Sequence, residues 1–256
     1  MVILSIYIFL IGLCVGSFLN VLLFRLDQKE GIIAGRSECP SCLKRLKWYD
    51  LIPLLSYLNL RGRCRYCKKE ISYIYPLTEA VTACVITLYF WVNSFDFSFA
   101  VWFYLFVVIM FIALTFFDAL YMILPDKIVL TAGVAVLVYD ILFKRPELAN
   151  LLLSGFIISL SFAIIYLVSR GEWMGFGDVK LVLVIGLILG YPLGLFAVIF
   201  SVWIAAIWGI FLMIFSRANL KTALPFGSFL SAMTIIFIIF ENVIHQKANT
   251  ILQLFF

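Results

Sequence analysis

The feature that most constrains this chain is a series of long apolar runs separated by short polar joints. Runs at 2–24, 76–92, 97–117, 127–143 and 151–168 each approach the roughly 20 helical residues that cross about 30 Å of hydrocarbon. The run at 179–215 is too long for one crossing and holds Gly190, Pro192 and Gly194, which predicts a short helix, a tight turn and a second helix. A last run at 225–240 brings the expected number of transmembrane helices to eight. The expected fold class is therefore an all-α polytopic membrane protein. Composition agrees: 65% hydrophobic and 13% charged residues in a chain of 256, with a mean hydropathy of +1.13, leave too little polar surface to coat a water-soluble globule. The first run lacks the basic start and small-residue cleavage site of a secretory signal and carries polar Ser17 and Asn20 near its end, so it is expected to be retained as a span.

A net charge of +5 by itself fits a nucleic-acid partner as well as a membrane, and the position of the charges decides between them. Eleven of the nineteen Lys and Arg residues (Arg25, Lys29, Arg36, Lys44, Arg45, Lys47, Arg61, Arg63, Arg65, Lys68 and Lys69) fall in one long polar loop, which the positive-inside tendency places in the cytoplasm. The N-terminus is then outside. With eight crossings Lys127, Arg170, Lys180, Arg217 and Lys221 also fall inside, leaving Lys144, Arg145 and Lys247 outside. A single crossing at 179–215 would move Arg217 and Lys221 to the wrong side. Three divisions are expected: a first transmembrane helix at 1–24, a cytoplasmic four-cysteine zinc domain at 25–75 and a transmembrane core at 76–256.

That loop contains Cys39-Pro-Ser-Cys42 and Cys64-Arg-Tyr-Cys67, two CxxC pairs 21 residues apart. Such spacing lets four thiolates close a tetrahedron around zinc, with basic neighbours favouring the ionised thiols. So short a loop buries little apolar core, and metal binding would supply much of its folding free energy. Two disulfides are the alternative, disfavoured by a reducing cytoplasm. Four sulfurs leave no open coordination position, which makes the expected zinc structural. Cys14 and Cys84 lie in apolar runs and are expected to be packing residues.

For chemistry, the single histidine, His245, lies in the polar tail, so a Ser/His triad, a Cys/His dyad and a histidine-ligated catalytic zinc are disfavoured. Carboxylates at membrane depth remain: Glu79, Asp118, Asp126, Asp178, and further out Asp140 and Glu241. Asp118 ends the third run and Asp178 opens the sixth within Gly175-Phe176-Gly177-Asp178, so the expected topology puts both at the cytoplasmic edge. Two carboxylates brought together cannot easily both ionise, and the resulting acid and base can activate water against a peptide carbonyl. Gly175 and Gly177 would permit close approach beside Asp178, and the start of its helix favours a charged Asp178. Other readings stand beside these. Asp118 can be an interfacial charge in a turn, Asp126 after Pro125 an N-terminal cap, and Glu79 a structural partner of Arg25 or another loop cation.

Several stretches together resemble the type IV prepilin peptidases (prepilin leader peptidase and N-methyltransferase), which are GxGD intramembrane aspartyl proteases. They are Gly16-Ser17-Phe18-Leu19-Asn20-Val21 with Arg25, and Trp48 to Tyr57 followed by Arg61-Gly62-Arg63-Cys64-Arg65 between the cysteine pairs. Tyr75-Pro76-Leu77-Thr78-Glu79 with Thr82 follows, then Asp118 with Leu124-Pro125-Asp126, and last Gly175-Phe176-Gly177-Asp178-Val179-Lys180. These occur in unbroken order from Gly16 to Lys180, and the last two spans contribute only hydrophobicity.

The resemblance implies that Asp118 and Asp178 are catalytic, with Gly175, Gly177, Lys180, Glu79, Asn20, Arg25 and Asp126 supporting or binding substrate. It implies a prepilin or pseudopilin substrate whose basic leader precedes an apolar helix in the bilayer, cleaved at the cytoplasmic face of a bacterial inner membrane. It also implies N-methylation of the new amine by S-adenosylmethionine. No glycine-rich nucleotide loop supports a methyl-donor site, and Gly16, Asn20, Arg25 and Glu79 are its candidates by resemblance. The basic loop would repel a basic leader, so its charge is assigned to topology and anionic lipid, leaving Asp50, Glu70 and Glu79 as leader contacts. A transporter or channel using Asp118 and Asp178 for protons or ions is the rival, and a non-catalytic zinc-dependent assembly factor a third reading. The carboxylates cluster at one edge instead of lining a path at mid-depth, which disfavours the transporter.

Overall fold

The structure, a computed structural model, describes residues 1–25, 37–144, 146–215 and 222–255, with only the helical backbone at 242, 243 and 245–255. The expectations for Lys29, Arg36, Arg145, Arg217 and Lys221, and for the side chains of His245 and Lys247, lie outside the described residues. The chain divides into two compact units, Met1–Phe97 and Ser98–Phe256.

In the first unit, α1 (Val2–Arg25) is followed by the cysteine loop, a single 3-10 turn (Trp48–Leu51), the short α2 (Leu55–Asn59) and α3 (Ile74–Val92). Helices α1 and α3 pack backbone to backbone because α1 presents Gly12 and Gly16 one turn apart. A methyl on Gly12 would lie 2.7 Å from Ala83 Cα, and one on Gly16 would lie 2.7 Å from Glu79 Cα. In lipid, where burying apolar surface gains little, such close approach is what holds helices together. The pair is pinned at one end by Asn20, whose Nδ2 donates to the Tyr75 carbonyl at 3.1 Å, and by Phe24 stacked on Tyr75 with centroids 4.7 Å apart. Cys14 and Cys84 are exposed on these helices and do not pack in the core as expected; a thiol behaves as a small apolar group, which a lipid-facing surface accepts equally well.

The second unit contains α4 (Phe99–Tyr121), α5 (Asp126–Phe143), α6 (Leu148–Ser169), α7 (Phe176–Leu189), α8 (Leu193–Phe215) and α9 (Phe226–Phe255). Helix α7 is its centre, packing against α5, α6, α8 and α9. From Asp178 to Leu189 only Lys180 and Leu183 escape burial, as an all-round apolar sequence demands. A methyl on Gly186 would overlap Gly155 Cα and lie 2.6 Å from Gly155 N, so α6 and α7 cross with their backbones touching. The α7 to α8 turn falls where Gly190 and Pro192 predict it. Gly190 takes φ +63, and Asn150 clamps the turn by donating to the Tyr191 carbonyl and accepting from the Tyr191 N–H, each at 3.1 Å.

A helix stands on each of the eight predicted segments. Among the described residues five, α1, α3, α4, α6 and α8, are long and apolar enough to cross a membrane. The others fall short for separate reasons. Helix α5 carries Asp126, Lys127 and Asp140; α7 has 14 residues, about 21 Å; and the apolar part of α9 ends at Glu241.

Candidate active site

The cysteine loop folds as one small motif used twice. In each pair the residue after the second cysteine, Leu43 or Lys68, adopts positive φ (55 and 61) and donates its N–H to the first cysteine's carbonyl at 2.8 and 2.9 Å. The next residues close a one-bridge hairpin, Glu38 with Arg45 and Arg63 with Glu70. Turning the chain this way aims both sulfurs of a pair to one side. The four Sγ atoms of Cys39, Cys42, Cys64 and Cys67 lie within 4.8 Å of one another, with Cys39 and Cys67 at 3.9 Å. Zinc–sulfur bonds of about 2.3 Å place tetrahedral sulfurs about 3.8 Å apart, so the cluster fits a structural zinc. Burial raises the Cys39 thiol, but the N–H groups of Ser41 and Cys42 outweigh it and bring it down to about 7. At Cys67 the Lys69 N–H works the other way from burial and the neighbouring sulfurs, which push that thiol up to about 11.

Asp50 knits the second pair to the 3-10 turn. Its buried carboxylate accepts from Arg65 Nε at 2.7 Å, from the Tyr66 hydroxyl at 3.2 Å and from the Lys47 N–H at 3.2 Å. Those commitments leave it a structural acceptor, in contrast to the leader contact expected for it. Glu79 is also buried, and Oε2 accepts the Leu54 N–H at 2.9 Å, with the Ser17 hydroxyl beside it. Its observed partner is thus loop backbone, whereas a loop cation was the structural role expected. Arg25 lies in the last turn of α1, where a cation suits the helix dipole.

In the second unit, α4 ends because Met122 takes the left-handed conformation (φ 53) and donates to the Asp118 carbonyl at 2.8 Å, with Pro125 following. Asp118 is therefore in the last turn, buried, its carboxylate facing the start of α9. Oδ2 accepts the Ser228 N–H at 2.6 Å and the Ser228 hydroxyl at 3.0 Å, and that hydroxyl also lies 2.9 Å from the Thr115 carbonyl. Asp178, third residue of α7 behind its N-cap Gly175, is buried as well.

The two aspartate segments meet through Leu124. A methyl on Gly177 would lie 3.2 Å from Leu124 Cβ, and one on Gly227 would lie 3.0 Å from Leu124 Cδ1 and 3.1 Å from Asp118 Cγ. Glycine at 177 and 227 thus lets both α7 and α9 close on the Asp118 turn, and the charge of Asp118 acts on Asp178. Gly175 is exposed, and a methyl there would make only van der Waals contact, nearest to Asp178 Oδ2 at 3.7 Å. Lys180 Nζ pairs with Asp126 Oδ1 at 2.7 Å, tying α7 to the start of α5. Asp126 is not the expected cap: Pro125 holds the N-cap position, and the Asp126 carboxylate turns to Lys180.

Asp140 and Glu241 fall at the far ends of α5 and of the apolar part of α9, apart from this cluster. Ser228 was missed in the sequence because α9 reads there as hydrophobic run alone. The signal available was Pro225-Phe226-Gly227-Ser228, a helix start with a small residue and a hydroxyl.

The class these features define is a multi-pass membrane protein with a four-cysteine cluster that fits a metal ion and a helical unit with two buried aspartates on helix ends that meet at Leu124. Comparison with known proteins makes it particular. The profile described as "Bacterial Peptidase A24 N-terminal domain" matches residues 10–93, and "Type IV leader peptidase family" matches residues 105–210. A relative from Bacillus subtilis (strain 168), named prepilin leader peptidase/N-methyltransferase, is 31% identical over 90% of this chain and 91% of its own. Relatives of the same name from Myxococcus xanthus and Vibrio cholerae are 32% and 34% identical, over 85% and 71% of this chain and 66% and 76% of theirs. No solved structure matches significantly. The chain belongs to the type IV leader peptidase family, and is by that membership an enzyme of prepilin processing.

Proposed function

We propose that Asp118 and Asp178 are the catalytic pair with which this leader peptidase removes the basic leader of a type IV prepilin or pseudopilin. The observation that carries the reading is the convergence on Leu124 of the segments that hold two buried aspartates sixty positions apart in the chain, each on a helix end. One carboxylate takes a proton from water as its oxygen bonds to the scissile carbonyl carbon, and the other gives its proton to the carbonyl oxygen. Collapse then breaks the C–N bond, a diol proton returns to the second carboxylate, and the first protonates the leaving amine. Lys180 and Asp126 hold α7 against α5, and Gly175 leaves room for substrate backbone beside Asp178.

The new N-terminal amine is then methylated, S-adenosylmethionine supplying the methyl group, as the relatives' shared name suggests. Asn20 supports a ligand near Gly16, Arg25 and Glu79: its Oδ1 is buried with no partner among the described residues, one helical turn from Gly16. In this reading zinc sits on Cys39, Cys42, Cys64 and Cys67 in a cytoplasmic domain at 25–75, between a first span at 1–24 and a protease core at 76–256. All eight helices are part of the crossing, α7 and the apolar part of α9 reaching across in company with longer neighbours. The N-terminus is outside, the active site faces the cytoplasm from the inner membrane, and anionic lipid meets the basic loop.

Purified protein with a pilin-like precursor tests this. Asp118→Ala and Asp178→Ala should each lose cleavage by at least about a thousandfold while retaining the parent's thermal transition. Full processing by either variant would remove the pair. Labelled S-adenosylmethionine should mark the cleaved product, and an unlabelled product would limit the enzyme to the peptidase step.

A further inference from the structure

The assignment of Asp118 and Asp178 leaves the pair symmetric, and the structure breaks the symmetry at Ser228. Both aspartates stand at a helix start, Asp178 at its own α7 and Asp118 against α9, so the helix dipole favours a charge on either. Asp118 also sits in the last turn of α4, where the dipole opposes an anion. Direct donors separate them. Asp118 Oδ2 receives both the backbone N–H and the hydroxyl of Ser228, at 2.6 and 3.0 Å, in a buried setting. Among the described residues, the donor at the Asp178 carboxylate is the Gly175 N–H. Hydrogen bonds to an ionised group are roughly twice as strong as neutral ones.

We propose that Ser228 is a positioning residue that holds Asp118 as the carboxylate and so leaves the shared proton on Asp178. This rests on the aspartyl assignment above and reverses the charged Asp178 expected from its helix start. Asp118 is then the base: a proton passes from water to Asp118 Oδ1, the oxygen Ser228 does not occupy, while the Asp178 proton goes to the scissile carbonyl oxygen. Once Asp118 is protonated on Oδ1, its Oδ2 remains an acceptor for the Ser228 N–H, and the serine hydroxyl can keep donating to Oδ2 or turn its hydrogen to the Thr115 carbonyl 2.9 Å away. Ser228 thus satisfies Asp118 in both halves of the cycle. The titratable group facing Asp118 from α7 is Asp178; from α5 and its approach Leu124 faces it, Asp126 being turned to Lys180; from α9 Gly227 and Ser228 face it. Ser228 lies outside the stretches that either family profile matches.

The test is the pH dependence of precursor cleavage by purified enzyme. Ser228→Ala keeps the N–H and loses the hydroxyl, and the acid limb of its kcat/KM profile should move up by about one to two pH units. That is the ten- to hundredfold supplied by a hydrogen bond to a charged group. KM should stay within about twofold. Ser228→Thr and Ser228→Val, matched in shape, guard against misfolding: Thr should keep the parent limb and Val should show the raised one. An unmoved limb in Ala, or equal limbs in Thr and Val, would overturn the proposal even if rates fell. Asp118→Asn and Asp178→Asn run beside them; cleavage by either at the parent rate would fail the aspartyl pair itself, a result distinct from an unmoved limb.

Discussion

The two units solve the burial of charge in opposite ways. In the first, the sulfur cluster and the contacts of Asp50 are made within the loop, over modest separations in sequence. Cys39 and Cys67, the two sulfurs 3.9 Å apart, are 28 positions apart, and Asp50 finds Arg65 and Tyr66 within 16. In the second, Asp118 finds its donors 110 positions away on Ser228. A local site can be closed and structural on its own. A site assembled from the ends of α4, α7 and α9 depends on how those helices pack, which suits the hydrolytic role proposed for its carboxylates.

The sharpest way to break the comparison is to remove the metal. Cys39→Ser with Cys64→Ser should abolish the bound zinc, expected at about one per chain by elemental analysis, and unfold the loop. Zinc binding by such modules supplies on the order of 10 kcal/mol of folding free energy. The second unit should keep its own thermal transition, because its core of α7 and neighbours shares no ligand with the loop. Unchanged zinc in the double variant would contradict the four-thiolate site.

A smaller change breaks the other unit alone. Gly186→Ala puts a methyl into Gly155 backbone, an overlap no rotamer relieves, and should cost about 1–3 kcal/mol. Since α7 carries Asp178, cleavage should fall with stability, while zinc stays at about one per chain. A variant as stable and active as the parent would show that α6 and α7 do not cross so closely.

What was legible in the sequence follows the same division. The cysteine pairs were readable because ligand spacing is local chemistry, and the apolar runs because lipid demands continuous hydrophobicity. The aspartates were readable as charges that apolar runs do not tolerate without cause. Ser228 was not, because a serine at the mouth of an apolar helix carries no such cost, and its value appears only when α9 is brought against α4. Asp50 and Asp126 misled for a related reason: an acidic residue in a basic loop or after a proline suggests a contact or a cap, and the partners that claim it, Arg65 and Lys180, lie 15 and 54 positions on. Helix α7 was legible as short, but not as the centre of its unit, since periodicity vanishes when every face is buried.

The smallest expected effect concerns Asp50 and acid. Burial raises its carboxyl, but Arg65, the Lys47 N–H and the Tyr66 hydroxyl outweigh it and hold the group below its ordinary value. A carboxyl lowered on folding stabilises the loop above the unfolded value, near 4, and loses that contribution as pH falls through the folded one. Asp50→Asn should therefore weaken the loop by about 1–3 kcal/mol at neutral pH. The gap from the parent should close as pH drops below about 4. Protonation of the cysteines acts on both proteins alike, so the gap in loop proteolysis isolates Asp50. A gap that persists undiminished at pH about 3 would mean that Asp50 contributes by shape and not by charge.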